Sequence, residues 1–170
     1  GWHTYWKNPG DSGGPFSIMW SHQMDIIIED VSWPTPEIIP YDPLITYGYK
    51  DFVTFPFKVF KQPDSELGLL SAELEFLICS DICIPESAKL SIDLSKLNRS
   101  SELLDAVNKL PNKVLPISVK TSLENIVIEF SYDKKPNAAY LFVETKDVVE
   151  YLPSHSHTEV SQETYAIEIA

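Results

Sequence analysis

Cys79 and Cys83 are the only two cysteines in the 170-residue chain, and three residues separate them in Leu77-Ile-Cys-Ser-Asp-Ile-Cys-Ile-Pro-Glu86. Sulfurs this close in sequence suit a reversible dithiol/disulfide pair, in which one accessible thiolate attacks a partner disulfide and the second resolves the mixed disulfide. A purely structural bridge gains little from such spacing, because the chain-entropy estimate for so short a loop is only about 2 kcal/mol. Geometry adds a condition. In an extended strand the two Cα atoms lie about 13 Å apart, beyond the roughly 7 Å that a disulfide spans, so the segment must bend for the bond to form. Two other readings stand beside redox exchange: buried, inert thiols, or soft ligands for a metal such as Cu(I). No Lys or Arg lies between Leu77 and Ala88, whereas Asp81 and Glu86 do, so no local positive charge lowers a thiol pKa.

The other candidate chemistry is weaker. The four histidines are His3, His22, His155 and His157, and His155-Ser-His157 follows Pro153 in a polar segment where a lone His-x-His is expected to be solvated; no metal site is assigned. Gly10-Asp-Ser-Gly-Gly-Pro15 has the letters found around the nucleophilic serine of chymotrypsin-like proteases. Only nine residues precede it, however, which leaves no room for the His and Asp that come earlier in that chain order. It reads as a glycine-rich turn. Trp2, Trp6, Trp33, Tyr41, Tyr47 and Tyr49 read mainly as core, and the stretch 34–49 is where an aromatic side chain would shield a disulfide.

The elements that position the sulfurs follow from periodicity. Leu70, Ala72, Leu74, Phe76 and Ile78 alternate with Ser71, Glu73, Glu75 and Cys79, which predicts a strand ending at Cys79 with that side chain facing away from the core. Leu90, Ile92 and Leu94 alternate with Ser91 and Asp93 as a return strand. The cysteines thus occupy a strand-to-strand connection, where rigid scaffolds commonly present reactive groups. Upstream, Gly1-Trp-His-Thr-Tyr-Trp6 reads as the inside of a strand, an opening expected of a piece of a longer protein, and Lys7–Pro15 as a loop. Asp25–Val31 reads as a strand ended by Trp33-Pro-Thr-Pro36, and residues 34–48, with four prolines, as an ordered loop with aromatic anchors. Phe52–Phe60 alternates as a strand in which Pro56 marks an edge or a bulge. Ser100–Leu110 has a serine cap, an early acid and apolar residues at 103, 104, 107 and 110, and Pro111 stops it as a helix. Beyond it, 114–119, 126–132, 139–143 and 165–169 read as strands of a second, shorter β unit.

At the scale of the chain, 44% hydrophobic residues, 12% aromatics and 13 prolines describe a folded all-β protein rich in turns. The formal charge of −12 argues against nucleic acid and anionic membrane surfaces as partners. There is no run of eighteen apolar residues, so no direct membrane insertion is expected. The helix suggests a division into 1–111, carrying the cysteines, and 112–170, the smaller β unit, complete or not.

Taken in order, Gly1-Trp-x3-Trp6-x-Asn-Pro-Gly-Asp-Ser-Gly13, Trp33-Pro-x-Pro36, Tyr47-Gly-Tyr49 and Leu77-Ile-Cys-x3-Cys-Ile-Pro-Glu86 closely resemble the N-terminal periplasmic domain of the DsbD/ScsB family of transmembrane thiol:disulfide reductases. The resemblance covers about residues 1–95, and the three-residue gap looks like the ScsB branch. It implies an immunoglobulin-like β-sandwich, here followed by a short helix and a second, smaller β unit. It also implies a periplasmic domain of a bacterial inner-membrane protein that needs no bound cofactor. Electrons would come from a membrane-embedded domain of the same protein and pass to oxidised periplasmic proteins, thioredoxin-like or isomerase-like. By the same likeness Cys83 attacks and Cys79 resolves, and a cap loop falls at about Pro40–Thr46, with Tyr41 over the cysteines. Tyr47, Tyr49, Asp81 and Pro85 join Tyr41 as candidates for shielding or partner contact. The rival from another class is a non-catalytic β-sandwich that binds copper or a partner protein.

Overall fold

Alternation along the chain sets which strands form and which face each buries. A computed structural model describes residues 1–22, 25–64, 66–98, 100–111, 117–122, 125–153, 155, 157–161 and 163–169. Its strands are β1 (His3–Gly10), β2 (Ser17–Ser21), β3 (Ile26–Ile28), β4 (Glu37–Tyr41), β5 (Leu44–Lys50), β6 (Val59–Lys61), β7 (Leu69–Cys79), β8 (Cys83–Asp93), β9 (Ile117–Thr121), β10 (Ile126–Ser131), β11 (His157–Ser161) and β12 (Thr164–Ile169), joined among the described residues by a short 3-10 turn at Leu94–Lys96 and an α-helix, α1 (Ser101–Asn108). The class is all-β, as composition suggested, and the first part is the immunoglobulin-like sandwich that the family resemblance implied.

The main sheet has six strands in the order β2-β7-β1-β5-β4, with β8 along the other edge of β7. β7 is therefore interior. One of its edges pairs with β8 over its whole length, and the other pairs with β2 at Ser71–Glu75 and with β1 at Cys79. Its even residues turn inward as expected. Leu70 joins Ile26 and Leu94 in a core cluster, with Trp20, Ile28 and Val59 against it, which ties the small β3–β6 sheet to the face of the main one. A second cluster, Trp6, Ile45, Tyr47 and Tyr49, is covered by Trp33, Val53 and Phe55.

Four sequence expectations are corrected. From residue 37 the stretch expected as a loop, 34–48, is instead the β4–β5 hairpin. Pro40 fits because β4 is the outer strand of the sheet, where a missing N–H breaks no ladder bond. Lys7–Gly10 belongs to β1, with a register irregularity between Tyr5 and Gly10 that accommodates Pro9. Of Phe52–Phe60 only the end, from Val59, enters a ladder. The part before it runs beside the chain without a strand partner, its Pro56 carbonyl accepting from the Ser32 N–H at 2.7 Å. Residues 139–143 form no strand.

The smaller unit is a four-stranded antiparallel sheet, β11-β12-β10-β9, with Tyr165, Ala166, Ile167 and Ile169 buried. β11 had no clear sequence signal, and residues 114–116 of the expected first strand lie outside the described residues. The helix has its predicted cap, with Ser100 Oγ accepting from the Leu103 N–H at 3.3 Å. Between the sheets, Phe142–Tyr151 reaches back onto the sandwich. Phe142 meets Trp6 and Tyr47 edge-on. The buried Asn8 side-chain amide donates to the Val143 carbonyl at 2.7 Å and accepts from the Tyr151 hydroxyl at 3.2 Å.

Candidate functional site

The β7–β8 hairpin supplies the bend that the cysteine spacing demands. Cys79 closes one strand and Cys83 opens the next, and they are the last facing pair of the ladder. Facing residues of antiparallel strands approach to about 4.5–5.5 Å at Cα. Here the separation is 4.1 Å, and a disulfide joins the two. Ser80, Asp81 and Ile82 make the connection, in which the Ser80 N–H donates to the Ile82 carbonyl at 3.0 Å.

The two sulfurs have different surroundings. Cys79 lies on the face opposite Ile78, as alternation predicts, yet it is only 1% exposed. Its strand is interior, with His3 of β1 opposite it on one edge and Cys83 on the other, so pointing away from the core does not bring it to solvent. Cys83 sits on β8, whose outer edge has no strand partner among the described residues, and is exposed.

The Tyr5 hydroxyl meets the accessible sulfur, 3.5 Å from Cys83 Sγ. Burial raises the Tyr5 pKa, so the phenol remains a protonated donor at neutral pH. Against Tyr5, ring centroids 5.3 Å apart, stands His3. Its pKa is lowered by burial first, then by the Lys50 ammonium and the N-terminal amine, so it is neutral at pH 7. Tyr5 is seated from its other side by the glycine turn. Gly13 holds φ +87°, in the left-handed region, and a Cβ there would run into the Tyr5 ring. The protease-like letters thus serve a turn that leaves space for a tyrosine.

The residues expected to shield the pair are dispersed. Tyr41 is exposed at the tip of the β4–β5 hairpin, paired with Leu44. Lys50, at the other end of β5, is level with His3 and through it with Cys79. The length of β5 therefore separates Tyr41 from the disulfide by roughly 20 Å of strand. Tyr47 is buried in the core beside Trp6, Phe142 and Tyr151; burial first, then Tyr151 and Asp11, pushes its pKa up to about 12. Tyr49 is buried too, and its hydroxyl donates to the Pro34 carbonyl at 2.7 Å. Asp81 and Pro85 do flank the sulfurs, and both are exposed. At the disulfide end of β5 the chain turns at Asp51, φ 59°, whose N–H donates to the Trp2 carbonyl at 3.3 Å. That turn presents Phe52, 81% exposed.

Sequence reasoning missed Tyr5, His3 and Phe52. The Tyr5–Cys83 contact spans 78 residues, and local periodicity carries no signal for a pairing of that range. Among the described residues no group of three or more His, Cys, Asp or Glu is gathered to hold a metal. His155 is buried, and the His157 ring lies 3.3 Å from the Pro136 carbonyl.

Comparison with known proteins gives two matches. Residues 1–95 match the family described as thiol:disulfide interchange protein DsbD, N-terminal. The crystal structure of the N-terminal periplasmic domain of ScsB from Proteus mirabilis is similar over 99% of this chain and 68% of that one, with a TM-score of 0.71 and 24% sequence identity. No curated protein sequence matches the chain.

Proposed function

We infer the role of the hairpin from one premise: the chain belongs to the family of N-terminal domains of the thiol:disulfide interchange protein DsbD. The domain is a thiol–disulfide exchange module, and Cys79 and Cys83 are the pair that exchanges. The observation that carries the assignment is the unequal exposure of two bonded sulfurs, Cys83 at the surface and Cys79 buried behind it.

Starting from the dithiol, the Cys83 thiolate attacks one sulfur of a partner disulfide. The partner S–S bond breaks, its second sulfur leaves as a thiolate, and a mixed disulfide forms through Cys83. The Cys79 thiolate then attacks Cys83 Sγ, expels the partner's first sulfur and restores the intramolecular bond. Two electrons pass from the domain to the partner, which takes up two protons from solvent. No bound cofactor enters these steps. The Tyr5 hydroxyl donates to the Cys83 thiolate and favours the charged form without a neighbouring cation. In the relay we propose, the dithiol is regenerated by a membrane-embedded donor domain of the same protein, and the acceptors are oxidised thioredoxin-like or isomerase-like proteins in the bacterial periplasm. The division at residue 111 stands as part of this proposal, with 1–111 as the redox domain and 112–170 supporting it through Phe142–Tyr151.

The test is a transfer measured in both proteins. The dithiol form is mixed with an oxidised thioredoxin-like protein and free thiols are counted by alkylation and mass spectrometry. Exchange is expected to remove two thiols from the chain and add two to the partner. A chain that keeps both thiols while the partner stays oxidised would sink the reading.

A further inference from the structure

The hairpin pair next to the disulfide opens into an aromatic groove. Ile78 and Ile84 face each other immediately beside Cys79 and Cys83, on the opposite face of the sheet. They help to line a cavity of about 630 Å³ in which Phe16, Phe55 and Phe76 are partly buried and Trp2 and Phe52 are exposed. Trp2 is 48% exposed and Phe52 even more so, so two large aromatic side chains flank an apolar opening one residue from the exposed sulfur. Such concave, aromatic-lined sites with few polar groups are what apolar side chains or ligands occupy. The acids that line it are Asp51 and Glu86, both exposed, on a chain of formal charge −12.

We propose that this groove selects the substrate of the exchange reaction: it receives an apolar or aromatic side chain adjacent to the partner's reactive cysteine, with a Lys or Arg beside it facing Asp51 and Glu86. The occupant follows from position and charge. Cys83 lies on β8, whose other edge has no strand partner among the described residues, directly before Ile84 of the groove wall, and the acidic rim matches a basic residue and repels an acidic one. The proposal rests on the exchange reading above and deepens it by naming the partner's local chemistry.

The experiment uses the whole chain, reduced and freed of reductant, and three oxidants. Two are symmetrical disulfides of short single-cysteine peptides, one with Phe and Lys flanking the cysteine and one with Ser and Glu; the third is oxidised glutathione. Burial of one aromatic side chain predicts that the Phe/Lys peptide reacts about tenfold faster than the Ser/Glu peptide. Phe52→Ser, at an exposed position that the core does not use, is expected to erase most of that preference and leave the glutathione rate as it was. Glu86→Lys is expected to slow the Phe/Lys peptide and speed the Ser/Glu one. Equal peptide rates in the unaltered chain, with glutathione still reacting, would overturn the groove and leave exchange standing. Failure to react with any of the three would overturn exchange itself, and the groove's role with it.

Discussion

At the scale of single residues, the site joins an exposed sulfur, a buried one and a phenol. The acidic neighbourhood of the cysteines, Asp81 and Glu86, leaves the thiolate without a nearby cation in sequence, and Tyr5 answers that need from 78 residues away. A hydrogen bond to a charged group contributes about 1.5–3 kcal/mol, equivalent to about one to two pKa units. In a Cys79→Ser background, Tyr5→Phe is therefore expected to raise the Cys83 thiol pKa by about one unit, read from thiolate absorbance against pH. An unchanged titration would remove Tyr5 from the mechanism. Because burial holds the Tyr5 pKa above its ordinary value, the phenol stays protonated and able to donate at neutral pH.

Among the elements, the β7–β8 hairpin and the glycine turn bear most on function. The hairpin was legible. Strict alternation from Leu70 to Ile78 marked β7, the return pattern from Leu90 marked β8, and the short gap required a bend between them. The β4–β5 hairpin was hidden because four prolines look like a loop, and only the sheet order reveals that Pro40 sits on an outer strand. Tyr41 was expected over the disulfide by family likeness alone, whereas the hairpin carries it to the far end of β5 and leaves Phe52 beyond the end that is level with Cys79. The turn carries its own prediction. Gly13→Ala places a methyl group against the Tyr5 ring at a left-handed backbone position. The backbone conformation alone costs about 1–2 kcal/mol. Chemical denaturation should show at least that loss of stability, and thiol titration should show the Cys83 pKa moving in the same direction as in Tyr5→Phe. A fully stable Gly13→Ala protein with an unchanged thiol pKa would contradict the seating of Tyr5 by this turn.

For the molecule as a whole, the smaller β unit is tied to the sandwich by side chains that no local pattern connects. Phe142 packs on Trp6 and Tyr47, and Asn8 is held by Val143 and Tyr151. Phe142→Ala is expected to cost about 2 kcal/mol, below the range for a fully buried phenylalanine because the ring is half-buried. A urea midpoint equal to that of the unaltered chain would mean that the two parts are energetically independent. Stability should also depend on pH through His3 and His155, whose pKa values burial lowers from 6.5. Unfolded, each histidine takes up a proton near pH 6.5, and folded only at lower pH. Between those values the unfolded state holds more protons, so stability that is full above pH 6.5 falls as the pH drops through the folded pKa values. The buried His155 Nδ1 has no hydrogen-bond partner among the described residues, so His155→Gln should make the decline of the urea midpoint from pH 7.5 to 5 less steep. An identical slope in the variant would exclude His155 as a contributor.

The most direct test of the account lies in which single-cysteine variant captures a partner. Cys79→Ser keeps the exposed sulfur and removes the one that resolves, so in a periplasmic extract it should accumulate mixed disulfides that reductant releases. Cys83→Ser keeps only the buried sulfur and should accumulate almost none. The opposite pattern, or capture by both variants alike, would contradict the assignment of Cys83 as the attacking thiol and of Cys79 as the one that completes the transfer.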